Sequence, residues 1–243
     1  MSNMSEIYAK HGQAMGDFIM YSGWVKQLAR EYDVVYLTVS VVNYLENVKQ
    51  LYSDTPNVKI NVSVNNVKTA TLSNEPIHYT GLVEHENRFD FTLLRDDDSE
   101  SELYNKVVKE IGTDYILIHY RPYDNMNRRL NKFRYDIVNE KNTENLPIFN
   151  LDYNAGIIEN YGIKSDKFFD YCKLIENAKQ LHFYEGGFSL LADRLLPKDS
   201  NHIEKYCHLY AKKEGAGLDS AKWCLQKNKY HKNNWNYITE EGE

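Results

Sequence analysis

A chain of 243 residues with 42% hydrophobic residues can form one large or two small domains, and it is not expected to be disordered. Its formal net charge of −6 argues against bulk nucleic-acid binding, and its three cysteines, in no CxxC pair, predict neither a disulfide framework nor a zinc site. No run reaches the roughly 20 apolar residues of a membrane span and the first residues lack a signal-peptide pattern, so we expect a cytoplasmic protein.

The first part of the chain alternates strands and helices. Val34–Val39 is a nearly continuous run of β-branched and apolar residues, which is typical of a strand buried on both faces. Strands are predicted at 7–9, 34–39 and 58–62, and helices at 17–31 and 43–52. This β-α-β-α-β series predicts a parallel sheet with right-handed crossovers.

The middle of the chain, 65–98, is less periodic, and short strands are predicted there at 77–83 and 89–94. A helix over 99–111 follows, and Gly112 ends it.

The alternating pattern then begins again. Strands are predicted at 115–119, 147–151 and 181–184, and helices at 166–178 and up to Leu195. The tail 218–238 carries four large apolar or aromatic residues and is expected to pack back on the body: Trp223, Leu225, Trp235 and Tyr237.

The predicted fold is α/β, with two Rossmann-like halves. We place the boundary at Gly112, which gives an N-terminal half, 1–111, and a C-terminal half, 112–243. No Gly/Ser-rich linker marks this boundary. The halves are therefore expected to pack closely, with a cleft where the carboxyl ends of both sheets meet.

The first candidate site residue is Asp17, at the turn between the first strand and the first helix. This turn lies at the carboxyl edge of the predicted sheet, where open α/β folds bind ligands, and a helix N-terminus stabilises a carboxylate. The alternative is that Asp17 only caps its helix.

The second candidate is the segment His119-Tyr-Arg-Pro-Tyr-Asp124, which follows a buried strand. The planar guanidinium of Arg121 can bind a phosphate at two points, and Asp124 can orient it. The alternative is an ordinary Arg–Asp ion pair at a strand end.

The third candidate is the turn Glu185-Gly186-Gly187-Phe188-Ser189, between a strand and a helix. The glycines allow backbone N–H groups to approach an anion, the helix N-terminus adds positive potential, and the serine hydroxyl can donate a hydrogen bond. The segment is neither GxGxxG nor a Walker loop, and its alternative is a plain strand-to-helix turn.

These three segments carry a family resemblance. The sequence GQAMGD, which ends at Asp17, resembles the N-terminal turn of heptosyltransferases and related glycosyltransferases of the GT-B fold, whose aspartate there is the proposed base. The sequence HYRPYD at 119–124 is similar to the His-x-Arg-x-x-Asp segment of fucosyltransferases, whose arginine holds the β-phosphate of the donor. The sequence YEGGFS at 184–189 resembles the stretch that these families place beneath the donor.

The resemblance implies a GT-B glycosyltransferase that moves a sugar from a nucleotide-diphosphate sugar to a glycan or another hydroxyl acceptor. It implies Asp17 as the catalytic base, inversion at the anomeric carbon, and no cofactor or metal. The donor-binding residues that it implies are His119, Arg121, Asp124, Glu185, Gly186, Gly187, Phe188 and Ser189.

Two alternatives remain open. Asp96 and Asp98 form a DxD pattern, which in GT-A glycosyltransferases holds Mn²⁺ or Mg²⁺ with the nucleotide diphosphate. The acidic run continues before an apolar helix, however, which indicates a capped helix start, and no metal site is predicted. The other alternative is a non-catalytic module that binds a nucleotide or a glycan.

Overall fold

The computed structural model describes residues 5–10, 14–39, 42–62, 77–78, 89–120, 129–130, 135–151, 161–184, 186–198, 200–209, 211–212 and 231–238. The chain divides into two compact units, Met1–Arg95 and Asp96–Glu243. The division falls before the helix that ends at Gly112, so this helix is part of the second unit and not of the first half. Each unit contains a parallel sheet with helices, and the predicted α/β class is confirmed.

The first unit is built on a four-stranded parallel sheet. Its elements are β1 (Glu6–Lys10), α1 (Met15–Glu31), β2 (Val34–Val39), a 3-10 helix (Val42–Tyr44), α2 (Leu45–Leu51), β3 (Val58–Val62) and β4 (Ile77–His78). The strand order is β3-β2-β1-β4, and all pairs are parallel. This is the predicted β-α-β-α-β series.

The core of the first unit forms where the apolar residues of α1 meet the sheet. Phe18 and Ile19 of α1 are fully buried, as are Val35 and Leu37 of β2. Burial of these side chains supplies the main stabilisation of the unit, at about 1.5–3 kcal/mol for each large side chain.

The predicted strand at 89–94 is wrong, because the described residues there pair with no strand. Lys26 of α1 holds this segment by donating from its Nζ to the carbonyl oxygen of Thr92, at 2.9 Å. Leu94 is 62% exposed, so its apolar character does not indicate a place in a core.

The second unit is built on a five-stranded parallel sheet. Its elements are α3 (Asp97–Ile111), β5 (Ile116–His119), β6 (Arg129–Leu130), α4 (Tyr135–Lys141), β7 (Ile148–Asn150), a 3-10 helix (Phe168–Tyr171), α5 (Cys172–Asn177), β8 (Gln180–Tyr184), α6 (Gly187–Leu195), β9 (Glu204–His208), β10 (Ala211–Lys212) and β11 (Asn236–Ile238). The strand order is β11-β9-β8-β5-β7. Strands β6 and β10 form a small antiparallel pair apart from this sheet.

The middle strands of this sheet are buried because helices cover them. On one face, Val138 of α4 packs against Ile116, Ile118 and Tyr184. Elsewhere the hydroxyl of Tyr115 donates to the carbonyl oxygen of Leu174, at 2.8 Å, and ties α5 to the start of β5.

The end of the described chain packs on the second unit, as predicted for the tail. Strand β11 pairs with β9, and the indole Nε1 of Trp235 donates to the Asp193 carboxylate at 3.1 Å. Trp223 and Leu225 lie outside the described residues. Among the helices of the described part, none combines the length and the apolar character that a membrane span needs.

Candidate functional site

The carboxyl ends of the parallel strands in the second unit lie along one edge of the sheet, which we call the carboxyl edge. His119 ends β5 there and Tyr120 follows it, and Tyr184 ends β8. Helix α6 begins directly after β8, so its N-terminus also lies at this edge. Open parallel sheets bind ligands at this place.

The start of α6 is capped by its own serine. The hydroxyl of Ser189 accepts a hydrogen bond from the Gly186 N–H and donates one to the Gly186 carbonyl oxygen, each at 3.0 Å. Ser189 is fully buried. In the described contacts, therefore, its hydroxyl serves the helix and does not face a ligand.

Gly186 itself faces open space among the described residues, since a Cβ atom added here would meet none of their atoms within 4 Å. The first turn of α6, all of which the structure describes, holds no acidic residue. The helix N-terminus therefore keeps the positive potential of its unpaired N–H groups.

Aromatic side chains gather beside this helix start, with Phe188 at their centre. Its ring stacks on Phe168 with 4.5 Å between the ring centroids, and His119 and Tyr171 approach it edge-on at 4.9 Å and 5.6 Å. Phe188, Phe168 and His119 are each half-buried, so part of this aromatic surface is accessible. The structure thus places the His119 ring against Phe188, beside the helix start at Gly186 and Ser189, and donor binding by these residues stays a prediction.

Asp96 caps α3, which confirms the predicted capped helix start. Its Oδ1 accepts from the Ser99 N–H at 3.1 Å, and its Oδ2 contacts Lys167 Nζ at 3.1 Å. The Ser99 hydrogen bond, followed by Lys167, lowers the pKa of Asp96 below its ordinary value. Within the described ranges, no group of three or more His, Cys, Asp or Glu residues is placed to hold a metal ion.

In the first unit, Asp17 occupies the third position of α1, because the helix begins two residues earlier than predicted. Its Oδ2 accepts a hydrogen bond from the Ala14 N–H at 2.9 Å. Asp17 is half-buried, and Gly16 is buried within the first turn. Asp17 therefore caps its helix, and its catalytic role stays a prediction.

Sequence reasoning missed one side chain at the carboxyl edge. Asn150 ends β7 and is fully buried. Its amide accepts from the Tyr120 N–H at 3.0 Å and donates to the Tyr120 carbonyl oxygen at 3.2 Å. The only local signal is a polar residue at the end of an apolar strand. The predicted residues Arg121, Asp124 and Glu185 lie outside the described residues.

Comparison of the chain with models of protein families, with curated proteins and with solved structures finds no match.

Proposed function

We propose that the protein is a glycosyltransferase that transfers a sugar from a nucleotide-diphosphate sugar to a hydroxyl acceptor. The second unit binds the donor and the first unit binds the acceptor, in a GT-B arrangement of two Rossmann-like halves. The observation that carries the proposal is the start of α6, which lies at the carboxyl edge, faces open space at Gly186 and has no acidic residue in its first turn.

A diphosphate fits this helix start for electrostatic and steric reasons. The unpaired N–H groups of a helix N-terminus carry the equivalent of roughly +0.5 charge, which attracts a phosphate. Because Gly186 has no side chain, an anion can approach the backbone closely. The half-buried rings of Phe188, Phe168 and His119 offer faces and edges to the flat base or the sugar of the donor.

In the proposed reaction, the Asp17 carboxylate takes the proton of the acceptor hydroxyl, and the hydroxyl oxygen forms a bond to the anomeric carbon. The bond from this carbon to the diphosphate oxygen breaks, and its electron pair leaves with the nucleoside diphosphate. Arg121 and the N-terminus of α6 stabilise the charge on this leaving group. In-line attack inverts the anomeric configuration, which NMR of the product would detect.

A second candidate function is a binding module without turnover. The hydrogen bond from the Ala14 N–H to Asp17 favours it, because helix capping alone accounts for an aspartate at this position. Donor binding without transfer or donor hydrolysis would support this candidate.

The test of the proposed function is calorimetric binding of GDP, UDP and ADP to the wild-type protein and to two variants at Gly186. Gly186→Glu places a negative charge at the start of α6 in open space, and Gly186→Ala is the matched control without the charge. We expect the alanine variant to bind like the wild type. The glutamate variant should bind at least about tenfold more weakly, although an acidic residue at a helix N-terminus favours folding.

Two results would contradict the proposal at different points. If the wild type binds none of the three nucleotides, donor binding by the second unit is wrong. If it binds one of them and Gly186→Glu has no effect, the phosphates do not lie at α6. Activity that persists in EDTA would separate the proposed metal-independent reaction from one that uses Asp96 and Asp98.

A further inference from the structure

We propose that Asn150 is a positioning residue, which fixes the exit of β5 and thereby the groups that bind the diphosphate of the donor. This inference rests on the proposed function and names a residue that the motifs of the sequence do not include.

The Asn150 side chain takes the place that a backbone group of a neighbouring strand would have in the sheet. Strands β5 and β7 are paired in parallel with Ile118 opposite Asn150, and the Leu151 N–H donates to the Ile118 carbonyl oxygen at 2.8 Å. Two residues after Ile118, just past the end of β5, both backbone groups of Tyr120 bond to the Asn150 amide, at 3.0 and 3.2 Å. A primary amide has two N–H donors and one acceptor oxygen, so it can supply both the donor and the acceptor that a peptide group offers to a neighbouring strand.

This arrangement fixes the backbone at the point where β5 ends. Past the last paired residues of β5 and β7, both backbone groups of Tyr120 are held by the Asn150 side chain. Because Asn150 is fully buried, loss of its amide would leave the two Tyr120 groups without these partners, and such a loss is costly away from water.

The two hydrogen bonds between the Asn150 amide and the Tyr120 backbone form a clamp, and this clamp acts on the end of β5 that reaches the candidate site. On its other side, β5 pairs with β8, with His119 opposite Phe183. The ring of His119 lies 4.9 Å from that of Phe188, beside the start of α6. Tyr120 directly follows His119 in the sequence, so fixing Tyr120 fixes the end of β5 from which the His119 side chain extends.

A matched control exists at the opposite edge of the same sheet. Asn142 lies in the loop that enters β7, and its amide donates to the Leu146 carbonyl oxygen at 2.9 Å and accepts from the Leu146 N–H at 2.7 Å. The two asparagines therefore make the same two-point contact, one at the carboxyl edge and one at the amino edge.

The experiment compares Asn150→Leu with Asn142→Leu in the full chain. Calorimetry with GDP, UDP and ADP gives the Kd and the stoichiometry, and hydrogen exchange gives the protection of the Tyr120 and Leu146 amides. We expect each variant to lose stability and to lose protection at its own amide. Only Asn150→Leu should raise the Kd, by roughly tenfold to a hundredfold, the range seen when the partner that orients a metal-binding side chain is removed.

The stoichiometry separates positioning from folding, because a purely structural role lowers the fraction of protein that binds and leaves the Kd unchanged. Asn150→Asp keeps an acceptor for the Tyr120 N–H but faces the Tyr120 carbonyl oxygen with a second oxygen. It should therefore show an intermediate Kd, and it replaces the leucine variant if that one does not fold.

Three results would overturn the inference. The first is an unchanged Kd in Asn150→Leu despite faster exchange at Tyr120. The second is an equal rise of the Kd in Asn142→Leu. The third is a wild type that binds none of the three nucleotides while the Tyr120 amide still responds, which refutes the proposed function and leaves Asn150 as a structural clamp alone.

Discussion

The two units begin a helix in nearly the same way, but with opposite electrostatic results. In α1 the third residue is Asp17, which accepts a hydrogen bond from the Ala14 N–H, and in α6 it is Ser189, which accepts one from the Gly186 N–H. Both helices follow a strand directly, at the carboxyl edge of a parallel sheet. One cap is a charged carboxylate and the other is a neutral hydroxyl.

This difference changes the electrostatic potential at the two helix starts. A carboxylate at the N-terminus of α1 offsets the positive end of that helix and repels a phosphate. The Ser189 hydroxyl supplies the cap without a charge, so the N-terminus of α6 remains attractive to an anion. This agrees with the proposed function, in which the first unit holds the base and the acceptor hydroxyl and the second unit holds the diphosphate.

The largest expected effect tests the charged cap. Asp17→Asn keeps an oxygen that can accept from the Ala14 N–H, so stability should fall by less than about 1 kcal/mol. A general base contributes roughly 10² to 10⁴ in rate, and transfer should fall by at least the lower factor while calorimetric binding of the nucleotide donor stays near wild type.

Asp17→Ser is a second variant for this test, because it gives α1 the kind of cap that α6 has. We expect the same loss of transfer in a folded protein. Near-normal turnover in both variants would make Asp17 a cap only and would move the search for a base to Asp124 or Glu185.

The next effect concerns the charged residues that hold α6 and α1 on their units, Asp193 in α6 and Lys26 in α1. In the second unit, Arg194 donates to the buried Asp193 carboxylate, which also accepts from the Lys232 and Asn233 N–H groups at 2.8 and 2.9 Å. In the first unit, Lys26 contacts Asp54 at 2.8 Å, and 35% of the Asp54 side chain is exposed.

Asp193→Ala should lower the free energy of unfolding by about 3–5 kcal/mol, because it leaves a buried charge and two backbone N–H groups without their acceptor. Asp54→Ala is the control and should cost about 1 kcal/mol or less, as for other ion pairs near the surface. Urea unfolding measures both values. Equal losses would show that burial of the Asp193 cluster does not matter.

The parts of the fold that follow local sequence were predictable. Strands β2 and β3 begin and end as predicted. The nearly continuous apolar run of β2 indicates a buried strand wherever it pairs, and β3 alternates apolar residues with Lys59 and Asn61. Strand β9 was missed because it begins with Glu204 and Lys205, although Lys205 is only 6% exposed. Its Nζ donates to the carbonyl oxygens of Ser200 and Ile203, at 2.8 and 3.0 Å, and this tertiary contact makes burial of a lysine tolerable.

The candidate site likewise contains residues that local sequence predicts and residues that only the tertiary structure brings to it. His119 and the turn at Gly186 could be predicted, since the end of a strand and the start of a helix are local features. Asn150 could not, because its role depends on β7 lying next to β5, and the sequence order does not determine this neighbour. Phe168 likewise reaches Phe188 only through the packing of the second unit.

The smallest expected effect is a dependence of the stability of the second unit on pH, through His231. Burial lowers the pKa of His231 from its ordinary 6.5 to about 4, with Arg194 acting in the same direction and Asp193 opposing it. The unfolded chain then binds a proton below about pH 6.5 that the folded unit takes up only near pH 4, so stability falls as the pH decreases between these values. The loss amounts to about 3 kcal/mol, and the buried His182, whose pKa burial also lowers, adds to it.

Both histidines whose pKa burial lowers, His231 and His182, lie in the second unit, so acid should weaken this unit. Hydrogen exchange at pH 7 and pH 5 would measure this for each unit separately. His231→Phe is the control, because a phenyl ring keeps the stacking on Trp235, at 4.8 Å between ring centroids, and cannot titrate. The variant should show a flatter dependence of stability on pH, and an unchanged slope would exclude His231 as its source.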